Sequence, residues 1–158
     1  MYGILNDCYQ IEIISEKIYR KLAANETYAP EIRKAFQKLS GDEHNHASQI
    51  DLLVQAPDIK IDAATRISGE KVEKVLELAE KILAEVEEKD ISEEEALKRS
   101  LLMEHEFIKI HAHNALHFDA PRLADFFDSL GRADLVHLNT LKELLQWWNA
   151  EGKSRESR

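Results

Sequence analysis

Four segments of this 158-residue chain carry an apolar stripe at helical spacing, and each stripe is broken near its middle by a carboxylate. In "AFQKLSGDEHNHASQIDLL", Phe36, Leu39, Ile50 and Leu53 fall on one face of a helix. Continued through the middle, that face lands on Glu43 and His46. A second segment places Leu130, Asp134, His137, Leu141 and Leu144 in the same register. A third runs Leu5, Cys8, Glu12, Ser15, Tyr19, Leu22, and a fourth Leu97, Leu101, Glu104, Ile108, His111, Ala115. Two of the four acids are followed at i+3 by histidine, which places the imidazole beside the carboxylate on the helix face.

The stripes predict helices over about 4–24, 30–56, 92–116 and 121–149, with a further amphipathic helix over 70–88. Pro30 and Pro121 suit a first turn, Pro57 ends the second helix, and Ser92 with Glu95 forms a capping box. The stretch "PDIKIDAATRISG" has no clear period. No strand pattern competes, and five Gly and three Pro in the whole chain fit a mostly helical protein. The domain reads as residues 1–150, followed by a polar tail over 151–158.

The helices come as two copies of one hairpin. "APEIRKAFQKL" from Ala29 aligns with "APRLADFFDSL" from Ala120, and the register pairs Glu43 with Asp134 and His46 with His137. Backwards, with a one-residue loop difference, Glu12 pairs with Glu104 and Tyr19 with His111. The fold expected is therefore all-α: an antiparallel four-helix bundle with a long connection between the second and third bundle helices that carries the extra helix.

Burying four carboxylates in one apolar layer costs several kcal/mol for each uncompensated charge, against a typical stability of about 5–15 kcal/mol. The inward stripes offer no Lys or Arg at this level. Two divalent cations would balance the charge, and imidazole with carboxylate suits iron, manganese or zinc. The candidate ligands are Glu12, Glu43, His46, Glu104, Asp134 and His137. Glu16, one turn beyond Glu12, is the rival on the first helix. His44, His105, His113 and His117 lie off the stripes and read as solvated. Gly41 and Gly131, just ahead of Glu43 and Asp134, read as sites of close packing or a local bulge.

The arrangement resembles the ferritin-like di-iron carboxylate bundles, which use one Glu from each of two helices and Glu-x-x-His from each of the others. Within them it is most similar to the rubrerythrin family, through Glu12 and Tyr19 in "EIISEKIYRKLA". The resemblance implies two iron ions and reduction of peroxide or dioxygen with electrons from a separate donor protein. It casts Tyr19 and His111 as hydrogen-bond or proton donors, with an extra-ligand role also open for His111. The alternatives are a ferritin-like ferroxidase that stores or delivers iron, and a metal-binding bundle without turnover. The sequence departs from the family in having Asp134 in place of a Glu, His111 in place of a second Tyr, and Phe107 where a further Glu is usual. It also lacks a four-cysteine rubredoxin-like module, its one cysteine being Cys8.

A net charge of −9 argues against nucleic acid and anionic membranes as partners. No apolar run is long enough to span a membrane. The start lacks a signal-peptide pattern, so a cytoplasmic location is expected. On a helix advancing about 100° per residue, Ile13 and Ile14 fall well off the inward face, as do Ile4, Ile11 and Ile18. Either the 70–88 helix or a second subunit must cover them, and a homodimer is the expectation.

Overall fold

The computed structural model describes residues 2–56, 69–152 and 154. Five helices run α1 (Tyr2–Ala23), α2 (Pro30–Gln55), α3 (Gly69–Glu88), α4 (Glu93–His117) and α5 (Pro121–Trp147), and a π-helical turn over Trp148–Gly152 follows. No strand occurs among the described residues. The unpatterned stretch after Pro57 lies outside them, as do Lys153 and residues 155–158 of the tail.

The helix ends follow local chemistry. Pro30 and Pro121 open α2 and α5, where the missing N–H costs nothing. Ser92 Oγ accepts from Glu95 N at 3.2 Å and caps α4, with Glu93, Glu94 and Glu95 at the positive end of its dipole. Ala56, ahead of Pro57 in sequence, is extended and ends α2. Between α1 and α2, Asn25 Oδ1 accepts from Thr27 N at 3.0 Å in a side-chain-closed turn. Arg33 Nε donates to Ala23 O at 3.0 Å, which satisfies a carbonyl at the end of α1. Tyr28 Oη donates to Ile91 O at 2.6 Å, and Ala29 N donates to the Glu93 carboxylate. These bonds tie the α1–α2 loop to the start of α4.

Cross-helix pairs give the directions. Glu16 and Ser40, and Tyr19 and Phe36, run antiparallel along α1 and α2. Tyr19 with Glu104, and Cys8 with Asn114, do the same for α1 and α4. α4 and α5 pack along their length, and α2 also meets α5. The four bundle helices therefore surround one interior, as the stripes require.

α3 lies outside that four-helix ring and packs on α1 and α4. Its apolar face, Val72, Val75, Ala79, Ile82 and Val86, is buried. Ile11, Ile14 and Ile18 are buried within the single chain. At about 100° per residue they fall on a different side of α1 from Ile13, and α3 packs against α1. Ile13, on the α2 side, is half-buried beside Tyr9, His44 and Leu52. Ile11, Ile14 and Ile18 therefore need no second subunit to cover them, whereas Ile4 and Ile13 stay half-buried in the single chain.

Two other expectations change in detail. The buried face of α4 is broader than its stripe: Ser100, Met103, Phe107, Ile110 and Asn114 are inside, whereas Leu101, Ile108 and Ala115 are half-buried. α4 receives neighbours on two sides, α5 and α3, so its interior face is turned relative to a single-sided stripe. At the end of α5, helical structure continues through Gly152, into what composition read as tail. The Trp148 ring is buried there and lies so close that a Cβ at Gly152 would sit 2.6 Å from its Cδ1.

Gly41 and Gly131 mark neither a bulge nor a close approach. A Cβ at Gly41 meets nothing within 4 Å, and one at Gly131 meets His111 Cβ at an ordinary 3.8 Å. Neither has a positive φ. Gly41→Ala should therefore stabilise the protein by about 0.5–1 kcal/mol through helix propensity. Urea unfolding of the two proteins checks this, and a loss of stability would reveal a constraint at position 41 that the packing lacks.

Candidate metal centre

Every residue the stripes single out arrives in one buried layer. Glu12, Tyr19, Glu43, Glu104, His111 and Asp134 have no solvent exposure, while His46 and His137 retain 9% and 3%. The repeat explains the convergence. Each hairpin carries its acids at matching depth, and antiparallel packing brings the mid-points of all four helices together.

Glu43 is the centre of the arrangement. Its Oε2 lies 3.1 Å from His46 Nδ1, and its Oε1 lies 3.2 Å from His137 Nδ1. His46 Nδ1 also faces Glu12 Oε2 at 3.5 Å, and His137 Nδ1 also faces Glu104 Oε1 at 3.5 Å. Two donor groups result, Glu12–Glu43–His46 and Glu43–Glu104–His137, each with its atoms within 4.8 Å of one another. The two imidazoles are inclined by 28°, with centroids 5.8 Å apart. The rival Glu16 turns outward to Arg20 and His44, each at 3.4 Å.

Three polar contacts surround these groups. Tyr19 Oη donates to Glu104 Oε1 at 2.5 Å, and its ring stacks on Phe36. His137 Nε2 meets Asp42 Oδ2 at 3.2 Å, and Asp42 pairs with Lys38 at 2.6 Å toward the surface. His111 Nδ1 meets Asp134 Oδ2 at 2.5 Å, while its Nε2 lies 3.3 Å from Glu12 Oε1. Asp134 is thus in the layer but in neither three-residue donor group. Phe107, one turn from Glu104, is buried and tilts against the His111 ring. Asp42 escaped sequence reasoning. It precedes Glu43 and lies off the stripe, so only the approach of α5 reveals its partner.

The layer is crowded with donor atoms that no hydrogen bond satisfies. Among the described residues these include both Glu12 oxygens, Glu43 Oε1, Glu104 Oε2, Asp134 Oδ1, His111 Nε2 and His137 Nδ1. Several lie within ion-pair distance of one another yet lack hydrogen-bond alignment. Buried polar atoms are rarely left this way. Divalent cations at the two donor groups would satisfy those of Glu12, Glu43, Glu104 and His137, and a carboxylate–imidazole donor set fits iron, manganese or zinc. The off-stripe histidines take no part: His44 and His105 are exposed, and His113 stacks on His117.

Without metal, protons must supply the compensating charge. Burial favours a neutral ring at His46, but Glu12 and Glu43 outweigh it and hold the imidazole up to about 10. Burial is likewise outweighed at His111 by Asp134 and Glu12, to about 10, and at His137 by Glu104 and Glu43, to about 11. Burial pushes Glu104 up to about 8, with His137 opposing and the Glu43 and Asp134 charges adding. Glu43 is raised by burial and by the charge of Glu12. Burial would raise Glu12 too, but the neighbouring Glu43, His111 and His46 bring it down to about 2. Burial and the neighbouring Glu104 raise Tyr19 well above the usual phenol range, so it remains a proton donor.

The direction of the pH dependence follows. A histidine with a raised pKa contributes fully below its ordinary value, and the contribution is lost as pH climbs through the folded one. A raised carboxyl such as Glu104 also costs stability as pH rises from its ordinary value to about 8. Both effects lower stability between about pH 6.5 and pH 10. The depressed Glu12 acts only under acid conditions. Metal-free protein should therefore melt at a lower temperature near pH 9.5 than near pH 6.5, and the gap should narrow on metal loading. Calorimetry across that range checks this. Equal or higher melting temperatures at alkaline pH would show that the imidazoles are not the compensating charge.

No curated protein and no solved structure matches the chain. A family model described as Rubrerythrin matches residues 3–145. The match begins in the first turn of α1 and ends near the last turn of α5, so it spans both hairpins and every helix that contributes to the buried layer. That span carries the likeness beyond any single motif, and the chain belongs to the rubrerythrin family.

Proposed function

We propose that the protein is a non-haem di-iron oxidoreductase that reduces peroxide or dioxygen with electrons from a separate donor. The observation that carries this reading is the pair of buried donor groups sharing Glu43. Glu43 turns one carboxylate oxygen toward each imidazole, so it would be a ligand available to both ions. Glu12 and His46 would complete one ion's protein ligands, and Glu104 and His137 the other's. Manganese or zinc suits the same donors, and the family favours iron. When bound, iron supplies the electrons that reduce the oxidant.

The remaining residues orient and protonate. Asp42 accepts from His137 Nε2, which fixes the ring with Nδ1 inward. Tyr19 holds a proton on Glu104 Oε1 and is the donor nearest the interior from α1. Phe36, Phe107 and Phe127 wall the layer and keep bulk water from it. The half-exposed Asp42, beside the slightly exposed His137, gives the layer a polar link toward the surface between α2 and α5. No helix among the described residues is long and apolar enough to cross a membrane. A cytoplasmic setting with a diffusing electron donor is part of the proposal.

Anaerobic loading with ferrous iron, followed by metal analysis and peroxide addition, tests the reading. About two iron ions per chain should be retained, and peroxide should be consumed beyond what the electrons of the loaded ferrous iron account for only while a reductant is supplied. Trace iron would sink the proposal, and tight iron without turnover would leave a storage or binding bundle in its place. Glu43→Ala should lose both ions, because it removes the shared ligand. It also removes a buried like charge, so the metal-free variant should melt no lower than the parent. Retention of both ions would show that Glu43 is not shared.

A further inference from the structure

We infer that His111, not Asp134, completes the set of metal-binding side chains, and that Asp134 acts as the carboxylate that orients it. The inference rests on the metal-centre reading above. It departs from the ligand set the sequence repeat suggests, in which Asp134 matches Glu43.

The geometry separates the two residues. Asp134 Oδ2 is taken up by His111 Nδ1 at 2.5 Å. Neither Asp134 nor His111 belongs to a three-residue donor group, but the Asp134 carboxyl, one methylene shorter than that of a Glu, is spent on His111 Nδ1 while the far side of that ring reaches Glu12. The imidazole occupies the intervening position. Phe107 and Phe127 flank the ring, with centroids 6.5 Å and 5.8 Å away, so its orientation is fixed by packing as well as by Asp134. With Nδ1 held outward, Nε2 points at Glu12, where it has no hydrogen bond.

The contact between Nε2 and Glu12 Oε1 has the dimensions of two ligands on one ion. Their separation is 3.3 Å without hydrogen-bond alignment. Nitrogen and oxygen donors each about 2.1 Å from a metal, at adjacent octahedral corners, lie about 3 Å apart. Glu12 thus turns Oε2 toward His46 and Oε1 toward His111. The ion held by Glu12, Glu43 and His46 gains a second imidazole. Metal-bound histidines nearly always donate their other N–H to a carboxylate or carbonyl. His137 meets this requirement with Asp42, and His111 meets it with Asp134. Asp134 facing the ion directly would leave Nδ1 of a fully buried ring without its partner.

Cobalt(II), added as the sole metal to the full-length protein, provides the test. Each coordinated imidazole keeps one N–H, which gives a strongly shifted proton resonance that disappears in deuterated water. Three such resonances are expected, from His46, His137 and His111. His111→Gln should remove one and leave the other two. Asp134→Asn should keep three but weaken cobalt binding by roughly 10–100-fold and speed exchange of one N–H. Only two resonances in the parent protein would overturn the inference, whether or not the variants fold. Failure to retain cobalt at all would overturn the metal-centre reading beneath it.

Discussion

Four carboxylates share one dry layer of this bundle, and the rest of the structure answers to their charge. Such groups repel one another and lose their hydration, which a fold of ordinary stability cannot absorb unaided. The metal-free chain meets the problem with protons, by holding three imidazoles in the charged form and pushing Glu43 and Glu104 upward. Orphaned lone pairs remain throughout the layer, so protons are a partial solution. Cations at the same place complete it. Stability and metal binding are therefore two aspects of one electrostatic constraint.

The two hairpins have diverged where the chemistry is decided. Tyr19 holds the Glu104 carboxylate, but its repeat partner His111 inserts an imidazole between Glu12 and Asp134. Asp42 braces His137, while the matching position ahead of Asp134 is Ala133, which leaves His46 without an equivalent carboxylate. One half of the centre is thus braced from the surface side of α2, and the other from within the α4–α5 hairpin. Phe107 adds to the difference. It puts a phenyl group where the family usually has a further Glu, so this wall of the site cannot lend a carboxylate.

Much of this was legible in the residues. Helical spacing identified the bundle helices, and the repeat aligned their acids, because antiparallel hairpins of equal length bring matching positions to one depth. The spacing to Tyr19 and the hairpin repeat favour Glu12 over Glu16, and in the structure Glu12 is buried while Glu16 faces Arg20 and His44. What spacing could not supply was anything dependent on a neighbour from elsewhere in the chain. The cover of Ile11, Ile14 and Ile18 depends on where α3 packs. The partnership of Asp42 and His137 depends on how α5 meets α2. The turned face of α4 depends on its having α3 as well as α5 beside it. Gly41 and Gly131 looked meaningful from their placement alone, and their surroundings show open or ordinary space.

The central claim is that Glu43 is shared by two metal ions at mid-bundle. Anomalous X-ray diffraction at the iron edge, from crystals grown without air after loading with ferrous iron, tests it most directly. Two peaks should lie on either side of the Glu43 carboxylate, about 3.5–4 Å apart, one toward His46 and the other toward His137. Peaks confined to the exposed His44 and His105 or to the His113–His117 pair, or no peak in the Glu43 layer, would contradict the account.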